Sequence, residues 1–319
     1  MKVSSPIAKE VVGVGLAHEQ RGIRKTRVSR VRKETMFRLL AILPALALFV
    51  VFTYYPLLMS IFYAFTNWNG YSSTFSFVGL SNFLAVFRDP DNVSAFWNTL
   101  YLAAVSMLVG FPLQLLFAAL LSNLRGSGIF KAIMYLPALL SGVLVSLTWV
   151  SLLQYTGVYN TLMQNLKLDR LMVDWLGNAG IVKNTLILVN TWQWVGYGTI
   201  ILLAGIASIP QEVLEAARLD GANGFTRFWR VVFPLMMPAI TVNLFLSITG
   251  GLRIFDLPYL MTNGGPRNAS LTVVYSIYNN AFAYNRFGVS SALGIVFWLF
   301  IGTLAILQLS ITRRREVEY

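Results

Sequence analysis

Long apolar runs alternate with shorter polar segments along the chain, and this pattern predicts helices that cross a membrane. A spanning helix needs about 20 mostly apolar residues. Six runs without a charged residue reach that length. The predicted fold class is therefore all-α, a polytopic membrane protein with six transmembrane helices, placed at residues 39–63, 99–121, 132–153, 185–206, 234–252 and 290–311.

A charged segment, "PQEVLEAARLDGANGFTRFWRVVFPLMMP", separates the fourth and fifth predicted spans. Ser208 and Gln211 have the spacing of a capping box, and Pro210 suits the first turn of a helix, so a helix is predicted to begin there. It should end at Asp220 and Gly221, because glycine accepts the positive φ that ends a helix or turns the chain.

A second short helix is predicted after that turn. Phe225, Phe228, Trp229 and Val232 follow the spacing i, i+3, i+4 and i+7, which places them on one helix face. Pro234 then starts the next span. Phe228 and Trp229 are interpreted as anchors of the resulting hairpin, either against a partner or within the protein's own elbow.

The distribution of charged residues predicts the orientation of the chain in the membrane. The chain is 56% hydrophobic and 12% charged, with 25 Lys and Arg against 13 Asp and Glu. In a soluble protein this excess would suggest nucleic acid, but the positive-inside rule accounts for it here, and no nucleic-acid partner is predicted. Most basic residues lie in the N-terminal tail and at every second link, so both termini are predicted to be cytoplasmic. The predicted organisation is a cytoplasmic tail (1–38), a transmembrane domain (39–311) that includes a cytoplasmic hairpin (207–233), and a second tail (312–319).

The longest link on the outer side joins the fifth and sixth spans at residues 256–289. It begins with the turn sequence TNGGP. Apolar positions then recur at helical spacing, and an amphipathic helix is predicted to pack on neighbouring spans through Leu271, Val274, Tyr275, Tyr278 and Phe282. Just before this link, Arg253 and Asp256 are interpreted as a local surface ion pair, with contact to a bound partner as the alternative.

Several function classes are excluded by what the chain lacks. It has no cysteine and one histidine, His18, so neither a Cys/His metal site nor a Ser-His-Asp triad is predicted, and no catalytic residue is assigned. No Asp, Glu, Lys or His lies deep in a predicted span, which argues against coupling to protons or sodium. The chain has no G-x-x-x-x-G-K-[ST] motif to hold nucleotide phosphates.

Polar and aromatic residues gather in the outer half of the fourth span. Asn190 and Gln193 supply amides, and Trp192, Trp194 and Tyr197 supply rings, which is the chemistry needed to hold the flat C–H faces and hydroxyl rim of a pyranose. These residues are the candidate substrate path. The alternative is an interfacial aromatic belt without any ligand. Because Trp192 and Trp194 are two residues apart on a helix, they should face different surroundings.

The first hairpin helix is predicted to dock on another protein. Ala216 and Ala217 leave one side of it nearly bare, and Glu215 offers a charge that fixes the register, as suits a helix lying in a groove. The alternative is a hairpin folded back on the protein's own inner surface.

The sequence of the hairpin resembles that of a known family. "EAARLDGANGFTRFWRVVFP" is similar to the EAA loop of ABC importer permeases, whose pattern is E-A-A, three residues, Gly, nine residues, Ile, one residue, Leu-Pro. The resemblance implies that the hairpin docks into a cleft on a separate ATPase, with Glu215 facing a basic residue. The coupling residues implied are Glu215, Ala216, Ala217, Asp220, Gly221, Phe228, Trp229 and Pro234, while Val231 and Phe233 replace the family's Ile and Leu.

The resemblance extends from about residue 98 to the C-terminus. Stretches such as "FDLPYLMTNGGPRNASLTVVYSIYNN" are similar to sugar-importer permeases of the maltose/glycerol-phosphate type. This implies an ABC importer type I transmembrane domain in the bacterial inner membrane, surrounded by lipid. The implied partners are a second homologous permease subunit, an ATPase dimer carrying ATP and Mg²⁺, an extracytoplasmic solute-binding protein, and a sugar or oligosaccharide substrate. This chain itself would bind no cofactor.

Two alternatives stay open. One is an ion-coupled secondary carrier for small polar solutes, which would work alone. The other is the same ABC architecture carrying glycerol phosphate.

Overall fold

The computed structural model describes residues 36–37, 40–122, 124 and 126–316. Over these residues the protein is helical, with a single isolated β-bridge between Thr66 and Phe77, so the all-α prediction is confirmed. The predicted N-terminal tail lies outside the described residues except for residues 36 and 37. Residues 317–319 of the predicted C-terminal tail also lie outside them.

The helices are numbered in chain order. The first seven are α1 (Leu40–Tyr63), α2 (Ser81–Arg88), α3 (Pro90–Ser122), α4 (Gly128–Leu139), α5 (Gly142–Leu153), α6 (Val158–Asn165) and α7 (Val182–Ala207). The remainder are α8 (Gln211–Leu219), α9 (Gly224–Arg227), α10 (Met237–Leu252), α11 (Asp256–Thr262), α12 (Val273–Tyr278) and α13 (Phe287–Arg313). Helix α9 continues through a π-helical turn, Phe228–Val232, and a short helix, Phe233–Leu235.

Five apolar stretches are long enough to cross a membrane as single helices: α1, α3, α7, Met237–Thr262 and α13. The third predicted span, at residues 132–153, is broken. There α4 and the helix pair that follows it are bent by 95°. Pro137 lies in the last turn of α4, and the extended Leu140 leads to Ser141, whose hydroxyl caps α5 by accepting from the Leu144 amide at 3.3 Å. The apolar pattern predicted an apolar segment here. The residues that end one helix and start the next, Pro137 and Ser141, lie inside that segment.

Two compact units divide the chain, Met1–Ser60 and Ile61–Tyr319. The described part of the first unit consists almost entirely of α1. This helix contains a π-helical turn at Val50–Tyr54, where the rings of Phe49 and Tyr54 meet edge to face with centroids 5.5 Å apart.

In the second unit, α7 is the central helix: it packs against α3, α4 and α10, while α13 packs on α10. Small residues allow these close approaches. A Cβ on Gly196 of α7 would overlap the Met134 carbonyl of α4, and one on Gly198 would overlap the Gln114 side chain of α3. The fold therefore depends on glycine at these two helix crossings.

The link after α10 contains more structure than predicted. The TNGGP turn forms with positive φ at Asn263 and Gly264. The predicted amphipathic stripe is only partly correct, and a π-helical turn at Asn279–Ala283 follows α12. Leu271 and Tyr275 are buried as expected, whereas Tyr278 and Phe282 are exposed.

Candidate functional site

The hairpin formed by α8 and α9 turns at Gly221. Its φ is +81°, as predicted for this glycine. The Ala222 amide donates to the Ala217 carbonyl and the Gly221 amide to the Arg218 carbonyl, both at 3.1 Å. This pair of bonds is a Schellman motif, which satisfies two carbonyls at the end of α8. The sharp bend is thus fixed by backbone bonding and needs a residue that accepts positive φ.

The predicted capping box at the start of the hairpin is wrong. Pro210 is the N-cap of α8 and makes no side-chain cap, and Gln211 is the first residue of the helix rather than the third. The Ser208 hydroxyl instead donates to the Gly205 carbonyl at 2.9 Å, since α7 extends to Ala207 and Ser208 caps its C-terminus. Gln211 reaches forward and donates to the Glu215 carboxylate at 3.2 Å. Spacing alone could not show that Ser208 belongs to the preceding helix.

Sequence reasoning also missed a cap in the middle of the hairpin. The Asn223 side chain accepts from the Thr226 amide at 2.8 Å and starts α9. The Asn-Gly dipeptide at this position was the available signal. Together with the turn at Gly221, this cap leaves only a few residues between the two helices, so the hairpin is short and stiff.

The base of the hairpin is packed into the protein. Phe228 and Leu214 contact a buried cluster that includes Ile209, Val232 and Met236, at the ends of α7 and α10. Motion applied to the hairpin would therefore pass directly to two spanning helices.

The tip and outer side of the hairpin are uncovered. Leu219 is 89% exposed and Phe225 is 75% exposed, and Glu215 and Ala216 are exposed as well. Trp229 is also exposed, and its ring lies between Phe225 and Phe233. The two predicted anchors thus differ, because Phe228 packs inward and Trp229 faces out.

Three further coupling residues occupy distinct positions. Ala217 is buried against the protein, Asp220 is the C-cap of α8, and Pro234 lies in the short helix that ends before the break at Met236. The predicted fifth span begins three residues later than expected, at Met237, because Met236 leaves the helical conformation.

A second feature is a cavity of about 770 Å³ within the second unit. It lies where α3, α7 and α10 meet the break between α4 and α5. Of the five candidate substrate-path residues, Asn190, Gln193, Trp194 and Tyr197 line it. Trp192 faces away and packs edge to face on Trp149, with ring centroids 5.4 Å apart. The two tryptophans therefore have different surroundings, as their spacing required.

Gln193 also supports the broken span. Its side chain is 4% exposed and donates to the Leu140 carbonyl at 3.3 Å. That carbonyl is at the break, where the helix ladder cannot use it. A buried amide in α7 thus holds the bent segment beside the cavity.

Sequence analysis missed a buried amide pair at the cavity. The Asn243 amide of α10 donates to the Gln114 side chain of α3 at 2.8 Å, and both residues are almost fully buried. Within the part of the chain that the structure describes, the buried hydroxyl of Thr191, also in the cavity wall, has no hydrogen-bond partner. Gln114 and Asn243 are each a polar residue inside an apolar run, and this was the signal available in the sequence. Only the fold brings the two runs together.

The predicted surface ion pair between Arg253 and Asp256 stays a prediction. Both residues are exposed, and both line the cavity. The Asp256 carboxylate lies against Gly142, the first residue of α5. A helix N-terminus carries partial positive charge and stabilises a carboxylate there. The break that creates this N-terminus was not predicted, so the pairing could not be.

The chain is similar in sequence to a known protein family and to individual members of it. The family model described as "Binding-protein-dependent transport system inner membrane component" matches residues 12–317. The chain is 33% identical over 273 residues to the multiple sugar-binding transport system permease protein MsmF of Streptococcus mutans, covering 85% of this chain and 93% of that one. It is 31% identical over 274 residues to the arabinooligosaccharides transport system permease protein AraP of Bacillus subtilis, covering 84% and 86%.

A solved structure is also similar. It is a bacterial alginate ABC transporter in complex with an alginate pentasaccharide-bound periplasmic protein. The TM-score is 0.77 at 26% sequence identity, over 88% of this chain and 96% of that chain. Sequence, spans and fold agree: this multi-pass membrane protein belongs to the family of inner-membrane components of binding-protein-dependent transport systems.

Proposed function

We propose that the chain is a permease subunit of an ATP-driven importer that moves a sugar or oligosaccharide into the cytoplasm. The observation that carries this proposal is the cavity, which lies inside the helical bundle and combines amides, hydroxyls and the rings of Trp194 and Tyr197. Pockets that hold small ligands pair apolar or aromatic walls with a few placed polar groups. The sugar-transport relatives support the same substrate class and do not favour glycerol phosphate.

In this proposal the cavity holds the sugar weakly. Its polar groups are mostly uncharged amides and hydroxyls, which can exchange hydrogen bonds with sugar hydroxyls as the substrate passes. Trp194 and Tyr197, with ring centroids 5.8 Å apart and nearly perpendicular, offer an aromatic face. The free hydroxyl of Thr191 supplies a further buried partner.

The hairpin would couple the cavity to an energy source. ATP and Mg²⁺ would be bound by a dimer of separate ATPase subunits, since this chain has no phosphate-binding loop. The exposed face around Glu215, Ala216 and Leu219 would lie in a cleft on one ATPase. Closure of the ATPase dimer would move the stiff hairpin and, through its packed base, the inner ends of α7 and α10.

The remaining partners follow from the same proposal. A second, homologous permease would complete the pathway, and an extracytoplasmic solute-binding protein would deliver the sugar, as the periplasmic protein in the alginate complex suggests. Both termini and the hairpin would lie on the cytoplasmic side, as the distribution of basic residues favours.

Reconstitution tests the proposal. Proteoliposomes containing this chain, its partner permease, the ATPase and the binding protein should take up labelled oligosaccharide only with ATP, and an ionophore that collapses ion gradients should have no effect. Glycerol 3-phosphate serves as the competing substrate. Uptake by this chain alone, driven by an ion gradient, would identify a secondary carrier and refute the proposal.

A further inference from the structure

Aromatic rings form a continuous series from the cavity wall to the surface of the link after α10. Phe255 lines the cavity, and its ring centroid lies 5.6 Å from that of Tyr278. Tyr278 in turn lies 5.1 Å from Phe282. Tyr259 contacts both Phe255, at 5.1 Å, and Tyr278, at 5.4 Å. These four residues, Phe255, Tyr259, Tyr278 and Phe282, are called the aromatic track.

The outer part of the track is exposed, whereas Phe255 and Tyr259 are partly buried against a core cluster. Tyr278 is 36% exposed and Phe282 is 59% exposed. Directly beneath them, Tyr275 is buried and its hydroxyl is hydrogen-bonded to Asn263. Phe282 lies in the π-helical turn Asn279–Ala283 and is exposed, while Tyr275 of α12 is buried. A buried layer thus supports an exposed aromatic face.

The outer end of the track has a rigid support. Phe282 meets Phe287 edge to face at 5.5 Å, and Phe287 contacts Trp68 at 5.3 Å. The ring of Phe287 lies directly against Gly70, where φ is +94°. Because these contacts hold Phe282 from behind, its free face has little freedom to collapse onto the protein.

Polar groups border the rings. The neighbouring Tyr259 hydroxyl raises the pKa of the Tyr278 hydroxyl above its ordinary value. The Arg286 guanidinium lies 5.8 Å from the centre of the Tyr284 ring, beside the outer end of the track. An apolar face with hydroxyl and amide neighbours matches the two sides of a sugar ring.

We propose that the aromatic track is a binding subsite for the pyranose units of an oligosaccharide on its way between the outer surface and the cavity. This inference rests on the proposed sugar import. Ring centroids lie 5.6 Å apart from Phe255 to Tyr278 and 5.1 Å apart from Tyr278 to Phe282, so a sugar chain that passes over the track meets one ring after another. An interfacial aromatic belt would face lipid all along. The track instead ends in the cavity wall at Phe255.

The test uses the complete transporter with Phe282→Leu, which keeps an apolar side chain but removes the aromatic face. Phe282→Tyr restores the ring. The matched control is Phe87→Leu, because Phe87 on α2 is 64% exposed and lies outside the track. The probes are labelled malto-oligosaccharides of two, three and five units, which are built of pyranose rings. Uptake KM is measured for each length, and ATP hydrolysis stimulated by the loaded binding protein is measured as the readout of docking.

A track that binds sugar units predicts an effect that grows with chain length. Phe282→Leu should raise KM about 3- to 10-fold for the five-unit sugar and much less for the disaccharide, as expected for one lost aromatic contact. Phe282→Tyr, Phe87→Leu and the stimulated ATP hydrolysis should match the wild type. Unchanged uptake, or an equal loss at every sugar length, would show that the aromatic track does not bind sugar units and would leave the proposed function intact. A wild-type complex that imports none of these sugars would overturn the proposed function itself.

Discussion

The hairpin uses one continuous stretch of chain, whereas the cavity draws its walls from helices that are far apart in sequence. Nearly every bond that shapes the hairpin is local, including the turn at Gly221 and the Asn223 cap. The cavity depends on distant pairs such as Gln114 with Asn243 and Gln193 with Leu140. A local device can therefore be altered without loss of the fold, while changes at the cavity wall also test the packing of the bundle.

The largest effect is expected from Gly196→Ala. The new methyl group would overlap the Met134 backbone, so α7 and α4 would have to separate. We expect folded, membrane-inserted protein to fall sharply, measured as the monodisperse fraction after detergent extraction. Gly302→Ala in α13 is the control, since its Cβ would meet open space and alanine favours a helix by about 0.5–1 kcal/mol. Equal recovery of both variants would show that the crossing tolerates a side chain.

The next largest effect separates the hairpin from the fold. Gly221→Val forces a β-branched residue into a left-handed conformation, at a cost of about 1–2 kcal/mol or more. Because a Cβ at this position meets nothing within 4 Å, the strain stays local. We expect ATP-driven uptake to fall about 10-fold while insertion and detergent stability remain normal.

Gly224→Ala is the matched control for that variant. It lies in the same hairpin, its φ is not positive, and its Cβ also meets open space. Uptake by Gly224→Ala should match the wild type. Wild-type uptake by Gly221→Val would show that the bend is not required for coupling.

These two glycines show what can be read from sequence and what cannot. Gly221 was identified as the turn because a charged helix ends there, and its φ agrees. Gly196 carried no such signal, since its importance depends on a backbone more than 60 residues away in the chain. The five substrate-path candidates share this limit: the sequence grouped them, but only packing separated Trp192 from the other four.

A smaller effect tests the buried amide pair. Gln114→Leu would leave the Asn243 amide buried without its partner, which costs about 1–3 kcal/mol. We expect a lower midpoint of thermal unfolding for the purified complex. The double variant Gln114→Leu, Asn243→Leu removes both polar groups and should recover part of the loss. If the double variant loses more stability than the two single variants lose together, this assignment is contradicted.

The smallest effect distinguishes the two tryptophans. Trp194→Leu removes a ring from the cavity wall and should raise the KM for sugar uptake about 3- to 10-fold, as for one lost aromatic contact. Trp192→Leu removes the contact with Trp149 and should lower thermal stability with little change in KM. The reverse pattern, with KM affected through Trp192, would place the substrate on the other face of α7.

The sequence by itself determined the number of apolar spans, the helical class and the hairpin with its glycine turn, because hydropathy and helix-ending signals act over a few neighbouring residues. Only the tertiary structure decided that the third span breaks beside a cavity, that Asp256 lies at the new helix end and that aromatic rings from separate segments align. Those features depend on which distant surfaces come into contact, and a one-dimensional pattern does not specify that contact.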